Sequence, residues 1–122
     1  MAICANPETL RVHQLASELA NQVIAEVRTF PYLERHAIGD QLIRAAVAIA
    51  ANIAEASGRG TVPEFRRFLW YARGSSQELL TLLGIARASQ LGKRESVMTL
   101  RSRTALVLKM VARLHEHPPP TR

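Results

Sequence analysis

The sequence has few of the features that predict a disulfide bond, export or a membrane span. Among its 122 residues there is a single cysteine, Cys4, which cannot form an internal disulfide and fits a reducing compartment. The longest run without a charged residue is ten residues, 45–54, whereas a membrane span needs about 20. No basic stretch followed by an apolar run predicts export. We therefore expect a cytoplasmic protein that does not cross a membrane.

Motifs that hold metals or cofactors are also missing. No glutamate is followed by a histidine three residues later, as helical di-iron sites require, and paired cysteines are absent. His115-Glu116-His117 is the one histidine-rich cluster, but it stands directly before three prolines near the end of the sequence. Cys4 and His13 have no sequence neighbours that would activate a nucleophile. We predict no metal, no cofactor, no small-molecule substrate and no catalytic residue.

What the sequence does contain is typical of one helical domain. Hydrophobic residues make up 48% and charged residues 21%, and no segment alternates with the period of a strand. Apolar residues recur at helical spacing in four segments, which begin near Asn6-Pro7, Asp40, Thr61 and Arg94 and end near Arg28, Ala56, Leu91 and Leu114. Short connections between long helices predict an all-α, antiparallel up-down-up-down four-helix bundle over residues 1–117. Residues 118–122 should form a disordered, proline-rich tail.

Local signals set the expected helix ends. Asn6 before Pro7 predicts an N-cap with proline in the first turn, and Asp40 is the expected N-cap of the second helix. Thr61 and Glu64 have the spacing of a capping box. The segment 57–61, Ser-Gly-Arg-Gly-Thr, is either a turn between two helices or an anion-binding loop.

The second helix is apolar over most of its circumference, with one narrow polar strip. Such a helix is usually covered on several sides, so we predict that its small residues contact another subunit; the expected interface comprises Ile43, Val47, Ala50, Ala54 and, on the third helix, Trp70. The polar strip is expected to form a network that fixes the helices, made of Arg44, Asn52, Glu55, Arg73 and Glu78. The alternative is that Glu55 and Glu78 form an acid–base pair.

Positive charge is concentrated late in the sequence. The net charge is +6, and residues 93–122 carry seven basic and two acidic residues. A basic surface attracts polyanions, and the expected phosphate contacts are Arg94, Arg101, Lys109 and Arg113. The alternative is a solvated face that keeps the protein soluble. Trp70 points away from the predicted core beside Arg66 and Arg73, where it either anchors a subunit interface or stacks on a nucleobase.

Two segments carry a resemblance to a known family. QLIRAAVAIAANIAEASGRG at 41–60 and EFRRFLWYARGSSQE at 64–78 resemble the small four-helix-bundle proteins encoded within intervening sequences of bacterial 23S ribosomal RNA genes. The resemblance covers about residues 10–92. The sequence departs from the family pattern at Ala48 and Ala51, where serine is frequent, which weakens any ligand site on the polar strip.

The resemblance implies an antiparallel four-helix bundle that assembles as a homopentamer and has no established enzymatic activity. A more distant group, the accessory proteins of diversity-generating retroelements, has the same kind of pentamer and engages nucleic acid. By this analogy we expect a non-enzymatic oligomer that binds RNA or DNA weakly through the last helix. The alternative is a structural or adaptor oligomer that docks another protein and has no nucleic-acid role.

Overall fold

The computed structural model describes residues 6–120, and within that range the chain is helical without strands. The elements are α1 (Pro7–Val27), α2 (Tyr32–Glu34), a π-helical segment (Arg35–Gly39), α3 (Asp40–Ser57), α4 (Val62–Ala88) and α5 (Arg94–Glu116). The predicted all-α class is confirmed. Four of these helices are long, and they build the domain.

The start of α1 follows the predicted capping pattern. The Asn6 side-chain oxygen accepts hydrogen bonds from the backbone N–H groups of Glu8, at 2.9 Å, and Thr9, at 3.3 Å. Pro7 occupies the first turn, where its missing N–H costs nothing. A turn then follows the helix, and the Phe30 N–H donates to the carbonyl of Val27 at 3.0 Å. The two hydrogen bonds to the Asn6 side chain confirm the predicted N-cap.

The regular α-helix α3 begins at Asp40, as predicted, but the N-cap predicted there is wrong. Asp40 is not an N-cap, because one continuous helix runs from Tyr32 to Ser57 through the π-helical segment. The reason lies in packing against α1. A Cβ on Gly39 would stand 2.6 Å from the Val27 Cγ1, so glycine at this position lets α1 and the helix approach each other. Gly39 lies inside the continuous helix and allows this close contact.

The ends of α4 also differ from expectation in detail. The Thr61 hydroxyl accepts the Glu64 N–H at 3.4 Å, but the Glu64 carboxylate binds Arg67 at 3.1 Å and so does not complete the reciprocal box. The helix ends at Ala88, three residues before the predicted end. Gln90 adopts a left-handed conformation with φ of 58°, and the Leu91 N–H donates to the carbonyl of Ala86 at 2.9 Å. This is the hydrogen-bond pattern of a Schellman motif.

The long helices pack in the cyclic order α1–α3–α4–α5–α1, which places α3 and α5 at diagonal corners. Neighbouring helices are antiparallel. Arg66 at the start of α4 reaches the carbonyl of His115 at the end of α5, and Glu26 at the end of α1 accepts the backbone N–H of Lys93 just before α5. The bundle predicted from the short connections is thus confirmed.

The core lies between all four long helices. Its largest fully buried side chains include Phe65 of α4, Leu19 of α1 and Ile49 of α3. Burial of such side chains, each contributing about 1.5–3 kcal/mol, is the main stabilising term. At the end of α5 the prolines are described as far as Pro120, and Pro119 is buried. Pro120 is exposed, and residues 121 and 122 of the expected tail lie outside the described range.

The helix Tyr32–Ser57 is the most apolar of the bundle. It is long and apolar enough to cross a membrane by those two criteria, with a mean hydropathy of 1.3 over its most apolar window. Only 33% of that window is buried inside the protomer. The helix packs against α1 on one side and α4 on the other, so it is an integral part of the bundle with an outer side left uncovered.

Candidate nucleic-acid interface

The basic residues that sequence analysis placed on separate helices meet where α4 lies against α5. Positions 66, 70, 73, 77 and 84 recur at intervals of three, four or seven residues and therefore share one side of α4. We call the line along which they meet α5 the α4/α5 seam. Its members are Arg66, Trp70, Arg73, Gln77, Gly84 and Arg87 from α4, with Arg94, Arg101 and His115 from α5.

Trp70 marks the end of the seam near the start of α4. The Arg73 guanidinium lies 5.2 Å from the centroid of the indole ring, within the range of a cation–π contact. The His115 ring also contacts the indole, with ring centroids 5.4 Å apart and the planes tilted by 46°. Arg66 donates to the carbonyl of His115 at 2.9 Å and to that of Glu116 at 3.5 Å. The end of α5 is thereby tied to α4, and His115 is held beside the indole.

Arg101 lies farther along the seam, beside Gly84 of α4, which has no side chain. One of the terminal nitrogens of Arg101 would be 3.9 Å from a Cβ built on Gly84, an ordinary van der Waals distance, so the guanidinium lies against α4 at this glycine. The Arg101 Nε is buried and has no hydrogen-bond partner within residues 6–120. Arg87 and Arg94 line one cavity at the far end of the seam. From Arg66 to Arg87 the seam extends about 31 Å at the helical rise of 1.5 Å per residue.

The charge of the seam is not neutralised by carboxylates. In the part of the chain that the structure describes, ion pairs join Arg59 to Glu55 and Arg67 to Glu64, and no seam arginine takes part in one. On α4, Glu78 is turned about 100° away from Gln77, and Glu95 of α5 faces a cavity shared with α1. The seam arginines thus form a line of positive charge with an exposed aromatic ring at one end.

The predicted phosphate-binding residues do not all lie on one surface of the structure. Arg94 and Arg101 lie on the seam. Lys109 is exposed on the outer side of α5, and Arg113 lines a cavity with Glu8 and Arg11 of α1. Helical spacing already set Arg66 beside Trp70, but sequence analysis did not group Arg66 and Arg87 with Arg94 and Arg101, because that grouping needs α4 to pack against α5.

The predicted polar network does not form within the chain. Glu55 pairs with Arg59 at 2.7 Å, and the Asn52 side-chain amide donates to the carbonyl of Ala48 at 2.9 Å. Arg73 turns to Trp70 on the α5 side. Each of these side chains contacts a partner three or four residues away in the chain, which is closer than a partner on a neighbouring helix. They therefore do not link α3 to Glu78 of α4. Arg44 and Glu78 are exposed.

The loop between α3 and α4 does not present its arginine to an anion. Arg59 bonds Glu55 and its guanidinium lies 4.5 Å from the centroid of the Phe68 ring. Arg67 lies 4.9 Å from the same ring. The hydrogen bond and charge of Glu64 raise the pKa of Arg67 above its ordinary value. Gly58 caps α3 with φ of −84°, so this segment acts as a turn between two helices.

The predicted interface residues of α3 are of two kinds. Ile43 and Ala50 are half-buried and pack against the core, whereas Val47 and Ala54 are exposed. Val47 remains 45% exposed. We call the uncovered side of this helix the α3 outer face; it comprises the exposed residues Arg44, Val47, Ala51, Ala54 and Glu55. Trp70 belongs to the seam and not to this face.

The histidine cluster at the end of α5 has a structural role. The His115 ring contacts Trp70 and its carbonyl binds Arg66. Within residues 6–120, no group of three His, Cys, Asp or Glu side chains is arranged to hold a metal ion. Cys4 lies outside the described residues.

Comparison with known proteins places the chain in one family. Residues 8–113 match the model of the 23S rRNA-intervening sequence protein. The chain belongs to this family. It is also similar in fold to a crystal structure from Bacteroides thetaiotaomicron, a protein of unknown function from the S23 ribosomal protein family. The TM-score is 0.80 at 18% sequence identity, covering 89% of this chain and 98% of the other. A comparison with curated proteins finds no significant match.

Proposed function

We propose that this member of the family is a non-enzymatic, cytoplasmic homo-oligomer that binds RNA or DNA through phosphate contacts along the α4/α5 seam. The observation that supports the proposal is the line of arginines, Arg66 to Arg94, that no carboxylate neutralises. Side chains of this kind bind phosphates without reading the base sequence. Sequence analysis expected phosphate contacts on a basic face of the last helix. The proposal assigns them to the side of α5 that meets α4.

The physical basis is counterion release. When a basic side chain neutralises a phosphate, the released ions favour binding, and log Kobs falls with log salt by about 0.7 for each phosphate of a single strand. Arginine suits this role because its planar guanidinium holds phosphate oxygens in a fork. Arg94 and Arg87 are exposed, so a strand that follows the seam reaches both.

Self-association is supported by the α3 outer face. Val47, Ala51 and Ala54 leave an apolar strip in contact with water, and a second copy of the chain would cover it. The face also carries Arg44, which is exposed, and Glu55, which pairs with Arg59 of the same protomer. Five subunits are the expectation from the family resemblance. Because α3 and α5 occupy diagonal corners, an interface at the α3 outer face leaves the seam open.

The binding proposal is tested with charge reversals on exposed positions. The double variant Arg87→Glu and Arg94→Glu should weaken binding of a fluorescently labelled single-stranded RNA by about tenfold or more. Its salt dependence should fall by about 1.4, because two phosphate contacts are lost. Fluorescence anisotropy across a salt series measures both quantities.

A matched control separates the seam from net charge. Lys109→Glu with Arg113→Glu changes the charge by the same amount on exposed positions of α5 outside the seam. We expect this control to weaken binding less and to leave more of the salt slope. Equal losses in the two variants would show that only overall charge matters and would overturn the assignment to the seam.

A second candidate is an adaptor that docks another protein. Tyr32 and Leu33 favour it, because they are 69% and 75% exposed at the start of the helix that carries the α3 outer face. Under this alternative the wild-type protein binds no nucleic acid at physiological salt. Absence of binding in the anisotropy titration would therefore favour the adaptor over the nucleic-acid proposal.

A further inference from the structure

Trp70 is an exposed aromatic ring whose position is fixed. The indole is 55% exposed, yet it belongs to a residue inside a long helix and contacts two side chains, Arg73 and His115. Arg66 keeps the end of α5 in place by binding two of its carbonyl groups. A ring held in this way loses little conformational entropy when a ligand stacks on it.

The surroundings of the indole select the chemistry of the ligand. A flat π-face beside a guanidinium stacks on another flat, electron-rich ring and attracts an adjacent anion. A nucleotide offers both groups, the base for the indole and the phosphate for Arg73. The line of arginines continues from this point to Arg101, about 21 Å away along α4.

We propose that Trp70, in contact with Arg73 and His115, is a stacking platform for an unpaired nucleobase on the exposed part of the ring that Arg73 does not cover, so that the seam prefers single-stranded RNA or DNA over a duplex. This inference rests on the proposed nucleic-acid binding at the same seam. Bases in a duplex are stacked on each other and do not offer a free face to the indole. Phosphate contacts alone, in contrast, are available in either form.

The chain contains a single tryptophan, so its intrinsic fluorescence reports on this site directly. Wild-type protein is titrated with a short single-stranded oligonucleotide and with a duplex of the same sequence. We expect saturable quenching with the single strand, at the concentration where anisotropy also saturates. The duplex should bind through phosphates with little quenching.

Variants of two adjacent aromatic residues sharpen the test. Trp70→Ala should lose about tenfold or more in affinity for the single strand and little for the duplex, whereas Trp70→Phe should recover part of the loss. Tyr71→Ala is the matched control, because Tyr71 is 46% exposed but lies toward α3, where its ring contacts Phe68. It should bind like the wild type. Circular dichroism checks that each variant is folded.

Each result decides between the two proposals. Binding without quenching, together with unchanged affinity of Trp70→Ala, would overturn the stacking platform and leave phosphate binding at the seam intact. No binding of either nucleic acid by the wild type would overturn the proposed function itself. A tryptophan emission that shifts on dilution without nucleic acid would place Trp70 in a subunit interface and likewise contradict the platform.

Discussion

The α4/α5 seam and the α3 outer face are both exposed, but they differ in every property that decides what a surface binds. The seam carries long arginine side chains beside Trp70 and lacks carboxylates. The α3 outer face is built around small apolar residues, Val47, Ala51 and Ala54, with few charges. Covering a small apolar surface with another apolar surface lowers the free energy by removing both from water. Binding of phosphates to a line of arginines is favoured by the release of counterions. One bundle thus presents two surfaces suited to two kinds of partner.

The arrangement of the helices keeps these two surfaces apart. Since α3 and α5 do not pack against each other to any extent, contacts at one surface need not disturb the other. This independence is a testable property. A change on one surface should alter its own binding and leave the other unaffected.

The largest expected effect is on assembly. Val47→Glu with Ala51→Glu places two carboxylates on the α3 outer face, and burying them in a subunit interface without partners would be strongly unfavourable. We expect the double variant to be a folded monomer at concentrations where the proposed homo-oligomer of the wild type forms. Size-exclusion chromatography with light scattering gives the mass.

The control for assembly uses exposed residues on another helix. Ala105→Glu with Leu106→Glu introduces the same charges on α5, where Leu106 is 49% exposed. This variant should keep the mass of the wild type. If it dissociates as readily as the α3 variant, the interface does not lie on the α3 outer face.

A smaller effect is expected from filling the space beside Arg101. Gly84→Leu puts a side chain where the guanidinium now lies, and we expect single-stranded RNA to bind roughly threefold to tenfold more weakly, about the effect of one lost phosphate contact. Gly74→Leu is the control on the same helix, because a Cβ there meets no atom within 4 Å. Replacing glycine at an exposed helix position such as Gly74 should raise helix stability by about 1 kcal/mol, whereas Gly84 is half-buried beside Arg101. Thermal melts of both variants therefore check that weaker binding by Gly84→Leu does not come from unfolding.

The smallest effect is expected at Asn52. Its side chain bonds only to the carbonyl of Ala48 in its own helix, so Asn52→Leu should change the free energy of unfolding of the monomer by no more than about 0.5 kcal/mol. Ser76→Leu is the contrasting change, since Ser76 is fully buried and overpacking there should cost about 1–3 kcal/mol. Thermal melts measure both. A loss of about 1–3 kcal/mol in the free energy of unfolding of Asn52→Leu would instead support the polar network predicted from the sequence.

Sequence patterns predicted the features that depend on local chemistry. The cap at Asn6, the start of α4 after Thr61 and the four apolar stripes each follow from a few neighbouring residues. The outward position of Trp70 followed from the helical period alone. The left-handed Gln90 escaped prediction because glycine normally occupies that position. The end predicted near Leu91 lies directly before a glycine, Gly92.

Features that depend on contacts between distant segments were not accessible from patterns. The helix runs through Gly39 because Val27 lies against that glycine, which no local signal reveals. The seam needs the pairing of α4 with α5 before Arg66, Arg73 and Arg101 form one surface. The polar network failed for a related reason, since Glu55 has Arg59 one turn away and does not need a partner on another helix.

The measurement that tests the central claim most directly is to locate the bound strand on the protein. Wild-type protein is bound to a short single-stranded RNA containing a photoreactive base and irradiated, and the crosslinked peptides are identified by mass spectrometry. The account predicts crosslinks to residues 66–73 of α4 and to the side of α5 that carries Arg94, Arg101 and His115. Crosslinks confined to α1 or to the α3 outer face would contradict it.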